Sequence, residues 1–164
     1  YVEDIIRKEE PFSEWQIRNI HQLILKNIDD DNAGRYRQQN VLISGATTMP
    51  PDYTLLNDKM AQLVDWYNSE SHTLHPIERA AKVHADFVGI HPFIDGNGRT
   101  SRLLMNLELL KAGYPPCVIT VENRLAYYEA LDQWMAYGKT EAFIKLVSNA
   151  VIEGFKPSQV VLGL

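Results

Sequence analysis

From Gly98 to about Ala112 the chain carries a helical pattern that is apolar on nearly every side, with Leu103, Leu104, Met105, Leu107 and Leu110 spread round its circumference. Such a helix has to be enclosed by others, so the pattern predicts a central, buried helix with the rest of the chain packed about it. Gly113 supplies its stop. Its start follows the run His91-Pro92-Phe93-Ile94-Asp95-Gly96-Asn97-Gly98-Arg99-Thr100-Ser101-Arg102. Glycines allow successive backbone N–H groups to converge on an anion, and a helix opening there adds unpaired N–H groups and the positive end of its dipole. Arg99 and Arg102 are three apart and share roughly one face. His91 takes a proton near neutral pH, and Asp95 is a ligand for a hard metal. Together these residues suit a polyphosphate carrying a divalent cation, held at the end of a rigid helix.

The remaining chain reads as helices round that centre. Val2–Glu9 predicts a short amphipathic helix stopped by Pro11. Ser13 and Gln16 form a capping-box pattern ahead of Ile17, Ile20, Leu23, Ile24 and Ile28, which recur at helical spacing. A helix over Leu55–Asn68 points Leu56, Met60, Leu63, Val64 and Tyr67 to one side. Pro76 fits the first turn of the next, whose face runs Ile77, Ala80, Ala81, His84, Phe87, Val88, His91. His91 is therefore packed from below and open above, and His84 is a core histidine. Glu122–Met135 predicts a helix with Leu125, Tyr128, Ala130 and Leu131 inward. Thr140 caps a last helix, Glu141–Glu153, closed by Gly154 and Pro157. Between Arg35 and Pro51 there is no helical period. Val41-Leu42-Ile43 and the Gly45 turn predict a β-hairpin or flap, whose open edge could accept another chain's strand.

Several chemistries are excluded by the residues. Asp29, Asp30 and Asp31 do not make a calcium loop, because Asn40 stands where the closing glutamate belongs. His72 and His75 have no further ligand near them for zinc. Cys117 is the only cysteine, so no internal disulfide forms; it reads as a packed residue, compatible with a reducing, cytosol-like compartment. The net charge of −5 comes without a basic stripe, which argues against nucleic acid as the partner. No apolar run approaches the roughly 18 residues of a membrane span. The chain starts at Tyr1, inside a helical pattern, and reads as a piece of something longer.

His91 to Arg102 fits H-x-F-x-[DE]-G-N-G-R-x-x-R at every position, and on that motif the chain resembles Fic domains. The likeness extends through Gly34-Arg35-Tyr36-Arg37, Pro50-Pro51, Leu74-His75-Pro76, Leu103-Leu104-Met105-Asn106 and Ala112-Gly113-Tyr114-Pro115-Pro116. The resemblance implies an all-α Fic fold, a compact bundle of about six to eight helices with a small β-hairpin flap over the active site. It places the domain over residues 1–155, with 156–164 a tail or the start of a linker. It implies an enzyme that transfers AMP from ATP to a serine, threonine or tyrosine hydroxyl of a target protein, releasing pyrophosphate. His91 would be the general base and Phe93 an apolar peg for the loop. Asp95 would bind Mg²⁺ (or Mn²⁺). Gly96, Asn97 and Gly98 would form the anion hole, with the Asn97 side chain reaching the α-phosphate. Arg99 and Arg102 would hold the outer phosphates, Tyr127 and Tyr128 would lie on the adenine side, and Ile43 and Ser44 of the flap would clamp the target. Met135 stands where close relatives carry an asparagine near the base. Gly98, a lysine in the phosphotransferase branch, favours nucleotidyl transfer.

The chain is expected to be a cytoplasmic, bacterial protein that can form a homodimer, and its charge and hydropathy leave neither a membrane nor a nucleic acid among its expected partners. Neither Glu122-Asn123 nor Glu153-Gly154 completes the family's inhibitory pattern [ST]-x-x-x-E-[GN], so the inhibitory helix is expected upstream and the chain is expected to be active. The alternatives on the same site are transfer of another phosphate-containing group, removal of AMP, or a nucleotide- or peptide-binding module without chemistry.

Overall fold

The computed structural model describes residues 11–162, with side chains to residue 156. The helix expected over Val2–Glu9 lies outside the described residues. Six α-helices are found among them: α1 (Glu14–Leu25), α2 (Leu56–Ser69), α3 (Pro76–Ile90), α4 (Asn97–Lys111), α5 (Arg124–Tyr137) and α6 (Glu141–Leu162). Short 3-10 turns at Tyr53–Leu55 and Ser71–Thr73 join the helices. None of these helices is long and apolar enough to cross a membrane.

Local sequence accounts for two of the helix starts directly. The Ser13 hydroxyl accepts the Gln16 N–H at 3.2 Å and opens α1. His75 caps α3 with its ring nitrogen, and Pro76 follows in the first turn, where a missing N–H costs nothing. Within α1, Ile17, Ile20 and Leu25 point inward. Leu23 and Ile28, expected on that face, are exposed. Leu23 is six positions from Ile17 and so falls off the stripe. The helix ends at Leu25, and Asn27 turns the chain away with a φ of 62°.

α3 and α4 form the central pair. One core cluster joins them to α1 and α2 through Ile17, Ile20, Met60, Phe87 and Leu104. The other joins them to α5 and α6 through Ala81, Ala85, Met105, Leu131 and Phe143. α4 is less uniformly enclosed than its composition suggests. Leu110 is exposed at its far end, while Glu108 is buried and bonded to the Tyr67 hydroxyl at 2.6 Å and Arg79 at 3.1 Å. A buried carboxylate with those partners anchors the end of α4 opposite the glycine turn.

Two boundaries differ from expectation. α5 begins at Arg124, two residues later than expected, and Leu125 faces solvent. α6 continues through Gly154 and Pro157 to Leu162, beyond the end expected at Glu153. Gly154 serves close packing there: a Cβ on it would stand 3.1 Å from the Pro115 side chain.

The stretch expected as a hairpin carries no strand among the described residues. The Ala46 N–H reaches the Ile43 carbonyl at 3.2 Å, closing a turn over Ser44 and Gly45, with Gly45 at φ 81°. At the base of the loop side chains replace a backbone ladder: Asn40 donates to Asp52 at 2.8 Å and accepts from the Tyr53 N–H at 2.9 Å. Pro50 and Pro51 bring no N–H donor to a ladder.

Candidate active site

His91 caps the C-terminus of α3 in the left-handed conformation, φ 51° and ψ 56°. That conformation is unfavourable for a residue other than glycine. It is held from both sides, because the His91 N–H bonds the Phe87 carbonyl at 3.0 Å and the His91 carbonyl accepts from the Arg37 Nε at 2.9 Å. The ring Nδ1 lies 3.2 Å from the Val88 carbonyl. A carbonyl only accepts, so Nδ1 carries the proton and Nε2 keeps its lone pair. Burial holds the imidazole below its ordinary pKa, helped by the Arg37 charge and opposed by the Val88 carbonyl and Asp95. His91 is therefore neutral, in the tautomer that a general base needs.

The loop after it is closed on itself. The Asn97 side chain accepts the Phe93 N–H at 2.9 Å and donates to the Phe93 carbonyl at 2.8 Å. Asn97 is buried, so its amide side chain is committed to the loop, and what it offers an anion is its backbone N–H. Phe93 is fully buried, as the peg role requires, and stacks flat on His21 with ring centroids 3.5 Å apart. His21 does more than pack. Its Nδ1 accepts the Gly34 N–H at 2.9 Å, so its Nε2 carries the proton and donates to the Asp95 carbonyl at 2.9 Å. Gly96, at φ 80°, sits so close that a Cβ would stand 3.0 Å from His21 Nε2. His21 thus fixes the peptide that joins Asp95 to the glycine turn.

Gly96 is the N-cap of α4. Helix geometry leaves the N–H groups of Asn97, Gly98 and Arg99 without intrahelical partners, aimed along the positive end of the dipole. Asp95 is mostly exposed and pairs with Arg99 at 2.8 Å. Arg102 is exposed one turn on and lines a cleft of about 210 Å³ with Thr120, Arg124, Tyr127 and Tyr128. Among the described residues no cluster of three or more histidine, cysteine, aspartate or glutamate side chains gathers to hold a metal. One accessible carboxylate beside an anion nest fits Mg²⁺ arriving with a phosphate ligand, since that ion takes few protein carboxylates and completes its shell with phosphate oxygens and water.

The remaining predicted residues separate. Tyr128 is half exposed beside that cleft, with Arg124 over its ring at 5.7 Å. Tyr127 is buried, and its hydroxyl meets His84 Nε2 at 2.9 Å, so most of it belongs to the core. Ile43 and Met135 line a different cavity of about 460 Å³, between the flap and α2, α3 and α5. Ser44 is exposed at the flap turn.

Residues 11–109 match the Fic/DOC family. The chain belongs to the Fic/DOC family. Protein adenylyltransferase fic-1 of Caenorhabditis elegans is 41% identical over 134 residues, which cover 81% of this chain and 26% of that protein. Protein adenylyltransferase Fic of Nematostella vectensis is 42% identical over 146 residues, 88% of this chain and 34% of that one. The solved structure of residues 134–508 of the worm protein superposes with a TM-score of 0.85 at 32% identity, covering 99% of this chain and 49% of that structure. The chain thus spans about a quarter to a third of the length of these two curated relatives. Both are animal proteins and lend no support to a bacterial source.

Within this Fic fold two site residues escaped the sequence reading. His21 is 74 positions from Asp95, and a single histidine in an amphipathic helix carries no signal of that contact. Arg37 lies in Gly34-Arg35-Tyr36-Arg37, a run that by itself carries only the family likeness. Its burial, at 3% exposure, becomes visible only once the flap and the His91 loop are brought together.

Proposed function

We propose that the chain transfers AMP from ATP·Mg²⁺ to a hydroxyl of a target protein. The observation that carries this reading is the bond from His91 Nδ1 to the Val88 carbonyl, which leaves the Nε2 lone pair free to act as a base in a loop that leads into the N-terminus of α4. In the reaction, the target hydroxyl oxygen attacks the α-phosphorus while His91 Nε2 takes its proton. The bond from the α-phosphorus to the bridging oxygen breaks, and pyrophosphate leaves carrying that electron pair. Of the anion hole expected at Gly96, Asn97 and Gly98, the Gly96 N–H is held by Asp95 Oδ1 at 2.6 Å, so the N–H groups of Asn97 and Gly98, with that of Arg99, would face the charge that builds on the α-phosphate. Arg102, and Arg99 once released from Asp95, hold the outer phosphates. Asp95 would be the carboxylate that holds Mg²⁺, which would supply charge neutralisation for the phosphates.

The flap round Ile43 and Ser44 would pair with an extended segment of the target by strand addition, its free backbone groups being the acceptors and donors. The base would lie toward Tyr128 and Met135. Met135 presents a thioether where an amide would read the base edge, so discrimination between purines is expected to be weak.

The test is the position of the label. The chain is incubated with Mg²⁺, a cell lysate, and ATP labelled at either the α- or the γ-phosphate. Adenylyl transfer puts only the α-label on protein. Protein labelled from the γ-phosphate would identify phosphate transfer and overturn the proposal.

A further inference from the structure

We propose that Arg37 is a positioning residue that couples the flap to the catalytic histidine. The inference rests on the adenylyl-transfer reading for what is coupled, and on geometry alone for the coupling. Arg37 precedes the flap, and its guanidinium spends each nitrogen on a different backbone carbonyl. Nε donates to His91 at 2.9 Å, Nη1 to Gln39 at 2.9 Å and Nη2 to Pro51 at 2.6 Å. Its own N–H donates to the Pro92 carbonyl at 2.9 Å. Gln39 and Pro51 are the two feet of the flap, and His91–Pro92 is the start of the catalytic loop.

A buried cation bonded to neutral carbonyls is an expensive arrangement unless every bond is made. All three acceptors are therefore tied to one rigid group, with the directionality that a planar fork enforces and an ammonium does not. The coupling works on a strained point. His91 is a left-handed non-glycine residue, and the Arg37 Nε is the side-chain donor to its carbonyl. Movement of either flap foot is carried through the fork to the His91 peptide. From there it reaches the ring, whose Nδ1 bond to Val88 selects the reactive tautomer. A target segment that settles on the flap thereby steadies the base that will deprotonate it.

Arg37→Lys keeps the charge and removes the fork; Arg37→Met removes both. Three readouts apply to Arg37→Lys: the tautomer of His91 by nitrogen NMR of the imidazole, amide exchange over Val41–Thr48, and the split of transfer kinetics between kcat and the KM for ATP. The expected result is a chain with wild-type helix content and a His91 ring that becomes a mixture of tautomers. Flap amides exchange about 10-fold faster. The kcat falls about 100-fold, with the KM for ATP within about 3-fold of wild type. Arg37→Met shows the same signs, larger. A single unchanged His91 tautomer with flap exchange within about 2-fold of wild type overturns the proposal. So does a raised KM for ATP at unchanged kcat. If the wild-type chain transfers no adenylate, the function reading fails alone, and the tautomer and exchange measurements still decide the coupling.

Discussion

The ring Nδ1 of His91 hydrogen-bonds the carbonyl of Val88, three residues back in the helix that His91 terminates. A helix C-terminus leaves its last carbonyls unpaired, and this one orients the imidazole ring. Burial adds to the effect by disfavouring the imidazolium. The base form should therefore persist below the ordinary histidine pKa of about 6.5. The acid limb of kcat/KM is predicted to have its midpoint below that value, with rates flat between about pH 7 and 8. A pH–rate profile checks this; an acid limb centred above the ordinary value would contradict it.

Two glycines with nearly the same φ should respond differently to alanine. Gly96 and Gly45 are at 80° and 81°, but a Cβ on Gly96 meets His21 while one on Gly45 meets nothing within 4 Å. Gly45→Ala should cost about 1 kcal/mol of strain, and Gly96→Ala about 2–3 kcal/mol or more, with loss of nucleotide binding. Thermal unfolding and ATP titration of both variants distinguish the cases; equal losses would mean that His21 yields without consequence.

The flap is tied to α5 at one point, where Thr47 gives its N–H to Asp132 at 2.7 Å and its hydroxyl at 2.8 Å. Both residues are exposed or nearly so, so Asp132→Ala should change stability by less than about 1 kcal/mol. If the flap docks the target as proposed, the change should also raise the KM for a target protein several-fold, because the docking segment loses its tether. Steady-state kinetics with a varied target would show this, and an unchanged KM would remove the tether from the docking argument.

What the sequence made legible and what it hid divide along physical lines. Local devices were readable: the Ser13 cap, Pro76 at a helix start, and the glycine turn opening α4. Apolar periodicity found every described helix to within a few residues at its start. It failed where burial depends on a distant neighbour. Leu125 has the right spacing yet meets no core, and Gly154 looks like a stop but is a contact with Pro115. β-Branched residues at Val41 and Ile43 predict the hairpin, but they favour extended backbone without guaranteeing a partner strand. Within the site, the motif residues could be named but not aimed. The spacing could not show that the Asn97 side chain closes the loop on Phe93, or that Tyr127 turns inward to His84.

His84 gives a stability prediction with a definite sign. It is fully buried, and its pKa is pushed down to about 3, chiefly by desolvation. The folded state therefore binds fewer protons than the unfolded one between that value and the unfolded pKa of about 6.5. The stability it supplies is complete above the unfolded pKa and is lost as pH falls below it, by about 2 kcal/mol on reaching pH 5. Denaturant unfolding at several pH values, compared with His84→Gln, should show the slope reduced by about one proton in the variant. Parallel slopes would contradict the assignment.

Asp95 offers a metal test. Asp95→Asn should leave the fold intact, since the carboxylate is mostly exposed and its charged partner Arg99 is exposed too. It should remove most of the advantage that Mg²⁺ gives ATP binding. Calorimetric titration with ATP, with and without Mg²⁺, measures this directly. A variant with the full magnesium effect would assign the ion to other ligands.

The most direct measurement compares His91→Ala with the unaltered chain, following adenylate transfer and ATP affinity side by side. A base used only in the transfer step predicts a fall in transfer of at least about 100-fold with ATP affinity changed by less than about 3-fold. Transfer at the unaltered rate in His91→Ala would contradict the role given to His91 and, with it, the mechanism built on its bond to Val88.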